Sequence, residues 1–367
     1  MFEEFSEIRK AQWLEQVVKD LKGKPLSSLD WEADGLHFSP FFHADDRQQH
    51  FSPLPREGDD NQWEAGEYIR VKDVSEANRL ALSALERGAQ ALCFELEAVP
   101  AYTALRQMLA GVQHEWISTH FVWGAAQWDE GVFDFVKLLE EKGQDPAKVS
   151  CSFQSASHEM TLAPEDFRRA VAALPQARLH CLRFSIGSQQ AAHTTHELAR
   201  ALSGAHQLLL HIQQHALPMP ASLHSLQFSC QLSDHFYLNL GSIRALRLLW
   251  QQLLQAWEIQ AALPPPIEAH IGPQTQTEDE HYNKIKATNQ ALAAVLAGVN
   301  RLYVHPSDAF SGQSSDFNRR IALNLQHIMQ HESHLGRVQD PAAGSYFFDT
   351  FTETLAETAW NKFRQMV

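Results

Sequence analysis

Three consecutive segments decide how the chain is read: RLYVHPSDAF (301–310), FNRRIALNLQHIMQHES (317–333) and LGRVQDPAAGSYFFDTFTETLAETAW (335–360). They give a short apolar strand, a loop, a long amphipathic helix, a turn built on Pro341 and Gly344, and a closing helix. A strand followed by a helix is one step of a parallel α/β fold. Going backwards, the same step recurs as far as Trp63, which makes this segment the last stave of a closed barrel.

The recurring strands are ALCFELE (91–97), WISTHFV (116–122), VSCSFQ (149–154), LHCLRFS (179–185), QLLLHI (207–212), LQFSCQL (226–232), IEAHIG (267–272) and RLYV (301–304). Stretches of helical length separate them, among them PEDFRRAVAAL, HELARALSG and NLGSIRALRLLWQQLLQAW. Ser75 is placed to cap a helix running to Arg87, which Gly88 stops. Eight strands alternating with helices predict an α/β fold of the (β/α)8 TIM barrel type over residues 63–367. An open doubly wound sheet would want a glycine-rich phosphate turn after its first strand, whereas EAVPAY follows ALCFEL and neither GxGxxG nor a P-loop occurs.

Residues 1–45 read as an arm ahead of the barrel and residues 46–62 as a polar linker. Phe5, Ile8, Trp13, Val17 and Leu21 share one face of an amphipathic helix that Gly23 and Pro25 end. Leu36, Phe38 and Phe41 around Asp34-Gly35 predict a hairpin. Within the arm, Trp13, Val17, Trp31, Phe41 and Phe42 have little core to join. They are expected to face a partner, with packing on the barrel exterior as the alternative.

The 367 residues are 44% hydrophobic and 20% charged, as in ordinary globular proteins. A net charge of −14 repels nucleic acid and anionic membranes, and no basic run offsets it. No apolar run reaches membrane length, and MFEEFSEIRK lacks a signal-peptide core, so a cytoplasmic location is expected. Cys93, Cys151, Cys181 and Cys230 each fall in an apolar strand without CxxC spacing, which reads as buried thiols.

Barrels carry function at the C-terminal ends of their strands. The polar residues there include His120, Gln154, His211, His270, Gln274 and His305, but no carboxylate–histidine spacing sharpens them into a metal site. His327, His331 and His334 share a helix face without the HExxH glutamate, so a solvated face is favoured and no metal is assigned. Glu95 and Glu97 point to one side of a strand as an acid/base pair would, unless Glu97 lies beyond the strand end.

At the level of whole segments the chain resembles the adenosylcobalamin-dependent methylmalonyl-CoA mutases. FNRRIALNLQ through RVQDPAAGSYFFDTFTETLAETAW is similar to the end of their barrel domain, and SDHFYLNLGSIRALRLLW (233–250) to SNFFMEIAKLRAARLLW. VVKDLKGKPLSSLDWEADGLHFSPFF is similar to the arm of their small subunits in particular. The resemblance implies a barrel that holds acyl-CoA along its axis, with cobalamin capping the C-terminal mouth from a separate domain. Departures from the family then decide the expectation. WEAGEY keeps the tyrosine of the RQY motif as Tyr68 but puts Gly66 at its arginine. The SxYH segment becomes Ser185-Ile186-Gly187-Ser188, so Gly187 and Ser188 replace a tyrosine and a histidine. HIGPQTQT (270–277) keeps only part of a CoA-contacting segment, leaving Tyr68, His270 and Gln274 as candidate substrate contacts.

No DxHxxG motif occurs in the chain, so no cobalamin-binding domain is expected in it. The resemblance therefore implies a non-catalytic small subunit that binds no cofactor itself. Adenosylcobalamin would be held by a catalytic large subunit, the partner of this chain, and acyl-CoA is at most an additional ligand. The alternative is an acyl-CoA-binding barrel that works with a cobalamin domain from another chain.

Overall fold

In the strands, residues alternate between a polar lumen and an apolar outer shell, as the period of two demands. The computed structural model describes residues 8–46, 53–56, 60–124, 129–155, 162–187, 193–260, 264–312 and 314–367. The arm comprises α1 (Lys10–Asp20) and a hairpin of β1 (Trp31–Ala33) and β2 (Leu36–Phe38). The first half of the barrel holds β3 (Glu64–Arg70), α2 (Val74–Glu86), β4 (Ala91–Leu96), α3 (Tyr102–Met108), β5 (Ser118–Trp123), α4 (Asp129–Glu141), β6 (Cys151–Ser155) and α5 (Pro164–Ala173). The second half holds β7 (His180–Ser185), α6 (Thr194–Gln214), α7 (Met219–His224), β8 (Leu226–Gln231), α8 (Phe236–Ala256), β9 (Ile267–Ile271), α9 (Glu280–Leu296), β10 (Arg301–Val304), α10 (Asp316–His327) and α11 (Tyr346–Phe363).

The eight barrel strands run in the order β6-β5-β4-β3-β10-β9-β8-β7, all pairs parallel. The last seam closes through Arg178, just ahead of β7. Its N–H donates to Cys151 O (2.8 Å) and its carbonyl accepts from Phe153 N (3.0 Å). The (β/α)8 barrel is therefore as expected, but two of its staves differ from the sequence reading. QLLLHI is not a strand: Leu208, Leu209 and Ile212 extend the helical spacing of Leu198, Leu202 and Ala205 inside α6. A short apolar run cannot be told from buried helix by periodicity alone. The missing strand is β3, EAGEYIR, whose inward positions Glu64, Gly66, Tyr68 and Arg70 hide its strand character. The cap of α2 is Asp73, which accepts from Glu76 N (2.8 Å), while Ser75 Oγ accepts from Gln107 Nε2.

Outside the strands, Phe94, Phe121 and Phe153 stack along the sheet, and Phe135 of α4 meets Phe121 edge-on at 5.2 Å. The hairpin of the arm docks on this chain's own barrel. Asp34 and Gly35 both take positive φ, as a two-residue hairpin turn requires. The Asp34 carboxylate then accepts from the N–H groups of Thr194 (2.5 Å) and Thr195 (3.0 Å) at the start of α6. Trp31 lies among Phe38, Tyr237, Phe347 and Phe351 at 5.0–5.7 Å, and Phe42 rests on Phe347. By contrast α1 buries no residue, and its Trp13 stacks on Phe41 at 3.8 Å.

The RVQDPAAGSYFFDTF segment forms around one buried cation. Arg244 of α8 donates to Asp340 Oδ1 (2.9 Å), Asp349 Oδ1 (3.0 Å) and Thr352 Oγ1 (2.9 Å), with its side chain 1% exposed. Asp340 also accepts from Leu54 N, and Asp349 from Gly344 N, so linker, turn and α11 share the clamp. Arg244→Ala strands two buried carboxylates and is expected to lower unfolding free energy by about 3–5 kcal/mol, read as a fall in urea midpoint.

Candidate functional site

The lumen is the place a barrel offers for chemistry, and charged residues fill its lower half. Arg301 of β10 pairs with Glu64 of β3 (2.7 Å) and with Glu268 of β9 (3.4 Å). Glu268 also accepts from Gln154 Nε2 at 2.6 Å and lies 3.2 Å from His270 Nε2. Burial alone would raise the Glu268 pKa, but the His270 bond and the Arg301 charge outweigh it and hold the group below the usual carboxylate range. Ser118 Oγ donates to Glu64 (2.5 Å), and His120 Nδ1 meets Ser152 Oγ at 2.7 Å.

Above this network the axis is occupied by aromatic rings. Tyr303 is fully buried and stacks on His270 at 4.8 Å, with an interplanar angle of 22°. Ala91, Cys93 and Val122 pack around it, and Tyr68 closes over the group. Tyr68 meets His270 edge-on at 5.6 Å and lies 4.5 Å from His305. Burial, reinforced by Cys93 and Glu95, raises the Tyr68 pKa, so it is a neutral phenol. Gly66 faces the Tyr303 ring so closely that an added Cβ would collide with it.

The sequence profile described as Methylmalonyl-CoA mutase matches residues 178–367. The chain belongs to the methylmalonyl-CoA mutase family. It is 26% identical to the "Methylmalonyl-CoA mutase small subunit" of Porphyromonas gingivalis, over 99% of this chain and 63% of that one. The small subunit of Streptomyces virginiae is 25% identical over 99% of this chain and 64% of its own length. A shorter match, 34% identical over 37% of this chain and 19% of the other, is to the methylmalonyl-CoA mutase of Rhizobium meliloti. The chain thus spans just under two thirds of the two small subunits it matches along its whole length.

Relative to the mutase resemblance, Gly66 stands where an arginine was expected to be replaced, and the structure gives a steric counterpart in the Tyr303 ring. Tyr68 and His270 do share the lumen. Gln274 sits at its rim and donates to Gln231 Oε1 at 2.7 Å. Gly187 is exposed beyond β7 with φ of 54°, its N–H donating to Thr194 Oγ1 at 2.9 Å. Ser188 lies outside the described residues. Glu95 and Glu97 do not form a carboxylate pair: Glu95 is bound by Arg70 Nε (2.6 Å), and Glu97 is exposed past the end of β4. His211 is not at a strand end but on α6, against His215. His327 meets the Arg87 carbonyl at 3.1 Å, outside the barrel.

The sequence reading passed over Glu64, Glu268, Arg301 and Tyr303. Their signal was a charge at the first or second position of an otherwise apolar strand, as in IEAHI and RLYV. Arg183 of β7 was also overlooked, although its charge acts on Tyr68 and Cys93.

Burial depresses four histidines of the barrel wall and lumen: His114 and His305 to about 3, His180 to about 4, and His120 well below its ordinary value. They stay neutral in the fold but take up protons in the unfolded chain below about pH 6.5. Their stabilisation is complete above that pH and is lost as pH falls towards the folded values. Each is expected to remove about 1.4 kcal/mol per pH unit across that window. Urea midpoints measured from pH 7 to pH 5 should fall steeply, with a shallower slope in His180→Phe.

Proposed function

We propose that this chain is the small subunit of a heterodimeric, adenosylcobalamin-dependent methylmalonyl-CoA mutase, and that its own barrel is non-catalytic. The observation that carries the reading is the Tyr303 ring, which lies over Gly66 and stacks on His270 across the axis. An acyl-CoA threaded along that axis would have to displace a buried tyrosine and expose the charged layer of Arg301, Glu64 and Glu268 beneath it. Whole-length likeness to two small subunits supports the same assignment.

Adenosylcobalamin supplies radical chemistry when bound in such enzymes, which suits a barrel with an open axis above which it can sit. The residues here do not fit that use. No cation can project from Gly66, and the phenol of Tyr68 stays neutral, so we derive no step through the cofactor in this chain. Its work would be support of a catalytic large subunit in the cytoplasm, where that subunit holds the cofactor. The apolar residues of α1 suit this role: Val18 is exposed and Trp13 and Val17 are only half-buried, and Ile8 just ahead of the helix is exposed as well. The hairpin behind it is anchored to the barrel by Asp34 and Trp31, so α1 would be presented from a fixed base.

One observation favours a second reading, an acyl-CoA-binding barrel served by a cobalamin domain on another chain. The charge of Arg183 on β7 acts on Tyr68, so a cation within electrostatic range of the phenol could meet an acyl carboxylate.

Titration calorimetry of the isolated chain with methylmalonyl-CoA separates the two readings. No saturable heat is expected up to millimolar ligand, whereas micromolar saturation would overturn the plugged barrel. In parallel, Trp13→Ala with Val18→Asp should weaken co-purification with the large subunit at least tenfold while leaving the melting temperature within a few degrees. Undiminished assembly would remove α1 from the interface.

A further inference from the structure

Between α9 and α10 lies a groove of about 390 Å³ whose inner end reaches His305, just past β10. Its floor and walls are apolar: Ala287 from α9, Val304 at the end of β10, and Ile321, Ala322 and Leu325 from α10. At the lower end the α-helical ladder widens into a single π turn, Ile328–Glu332, which brings Ile328 and Met329 to the groove. Such turns recur at functional sites because the extra residue re-aims side chains.

The upper end is polar and incompletely paired. Ser307 and Asn318 line the groove, 6% and 4% exposed, and neither Ser307 Oγ nor Asn318 Oδ1 has a hydrogen-bond partner among the described residues. Buried polar atoms are nearly always satisfied, and an unmade bond there costs about 1–3 kcal/mol. Lys284 lines the same end, half-buried, with its ammonium 5.8 Å from the Phe317 ring centroid and no carboxylate partner among the described residues.

We propose that this groove binds a medium-chain aliphatic amide, with the tail along Ala287, Ile321 and Leu325 and the amide at Ser307, Asn318 and Lys284. An amide carries both groups that the polar end lacks. Its N–H donates to Asn318 Oδ1, and its carbonyl oxygen accepts from the Ser307 hydroxyl or the Lys284 ammonium. A fatty carboxylate fits less well. It would bring a negative charge against an acceptor oxygen, and Asn318 Nδ2 already holds the carboxylates of Asp308 (2.8 Å) and Glu280 (3.0 Å) nearby. The volume lies in the range of ordinary small-molecule sites and accommodates about eight carbons.

The test uses octanamide and octanoate on the full chain, followed by NMR chemical-shift titration. Octanamide should saturate in the micromolar to low millimolar range and bind at least fivefold more tightly than octanoate. Thr288→Trp fills the groove from an exposed position and should weaken octanamide at least tenfold at an unchanged melting temperature. Ser307→Ala should reduce the preference for amide over carboxylate. The proposal is overturned by absence of saturation, by equal affinity for octanoate, or by binding indifferent to Thr288→Trp. Because the readout is made without the large subunit, its failure leaves the assignment of the chain as a small subunit untouched, and the converse also holds.

Discussion

A closed barrel brings eight strands' worth of inward side chains onto one axis, and here that axis holds a buried ion pair. Arg301 and Glu268 sit at 6% and 1% exposure, where an unpaired charge would cost several kcal/mol. Everything else in the lumen follows from keeping that pair satisfied. Glu64 takes the second edge of the guanidinium, while Gln154 and His270 take the remaining oxygen of Glu268. With His270 fixed by Glu268, its ring becomes the platform on which Tyr303 stacks, and Tyr303 in turn requires glycine at position 66. A line of dependence thus runs from an ionic layer at the bottom of the barrel to the loss of a side chain above it.

The outer shell has a second centre of the same kind. Arg244 gathers two aspartates, and through them the linker at Leu54, the turn at Gly344 and the first turns of α11. This explains why the DPAAGSYFFD stretch is so readable in sequence. Its two aspartates are ligands of one buried guanidinium, Ser345 caps α11, and Phe347, with Phe351 one turn on, forms the seat for Trp31 of the arm. The clamp therefore fixes both the last helix and the base from which α1 projects.

Much of the barrel was legible because parallel strands buried on both sides read as apolar runs followed by helical periods. Where the reading slipped, the cause was local. Leu208, Leu209 and Ile212 are apolar in helix and strand alike, so QLLLHI carried no period of its own. EAGEYIR was not counted as a strand because its lumen-facing half is charged, small or aromatic. Of the site, His270 was found as a polar residue at a strand end, Tyr68 through family resemblance, and Gly66 through its departure from a motif. Glu268, Arg301 and Tyr303 were not found, because a charge inside a strand has no meaning until closure of the sheet supplies its partner from another strand.

The same physics separates the two faces of this protein. Inside, burial disfavours the charged forms of His120 and Tyr68, so these two groups keep one protonation state near neutral pH. Catalysis by acid–base exchange needs the opposite, a group poised to gain and lose a proton at working pH. Outside, Ser307 Oγ and Asn318 Oδ1 between α9 and α10 have no partner among the described residues, and α1 buries none of its own side chains. The axis keeps atoms of its own without a partner among the described residues, Tyr303 OH, His120 Nε2 and His270 Nδ1, but they are enclosed by the rings above the ionic layer, whereas those between α9 and α10 line an open groove.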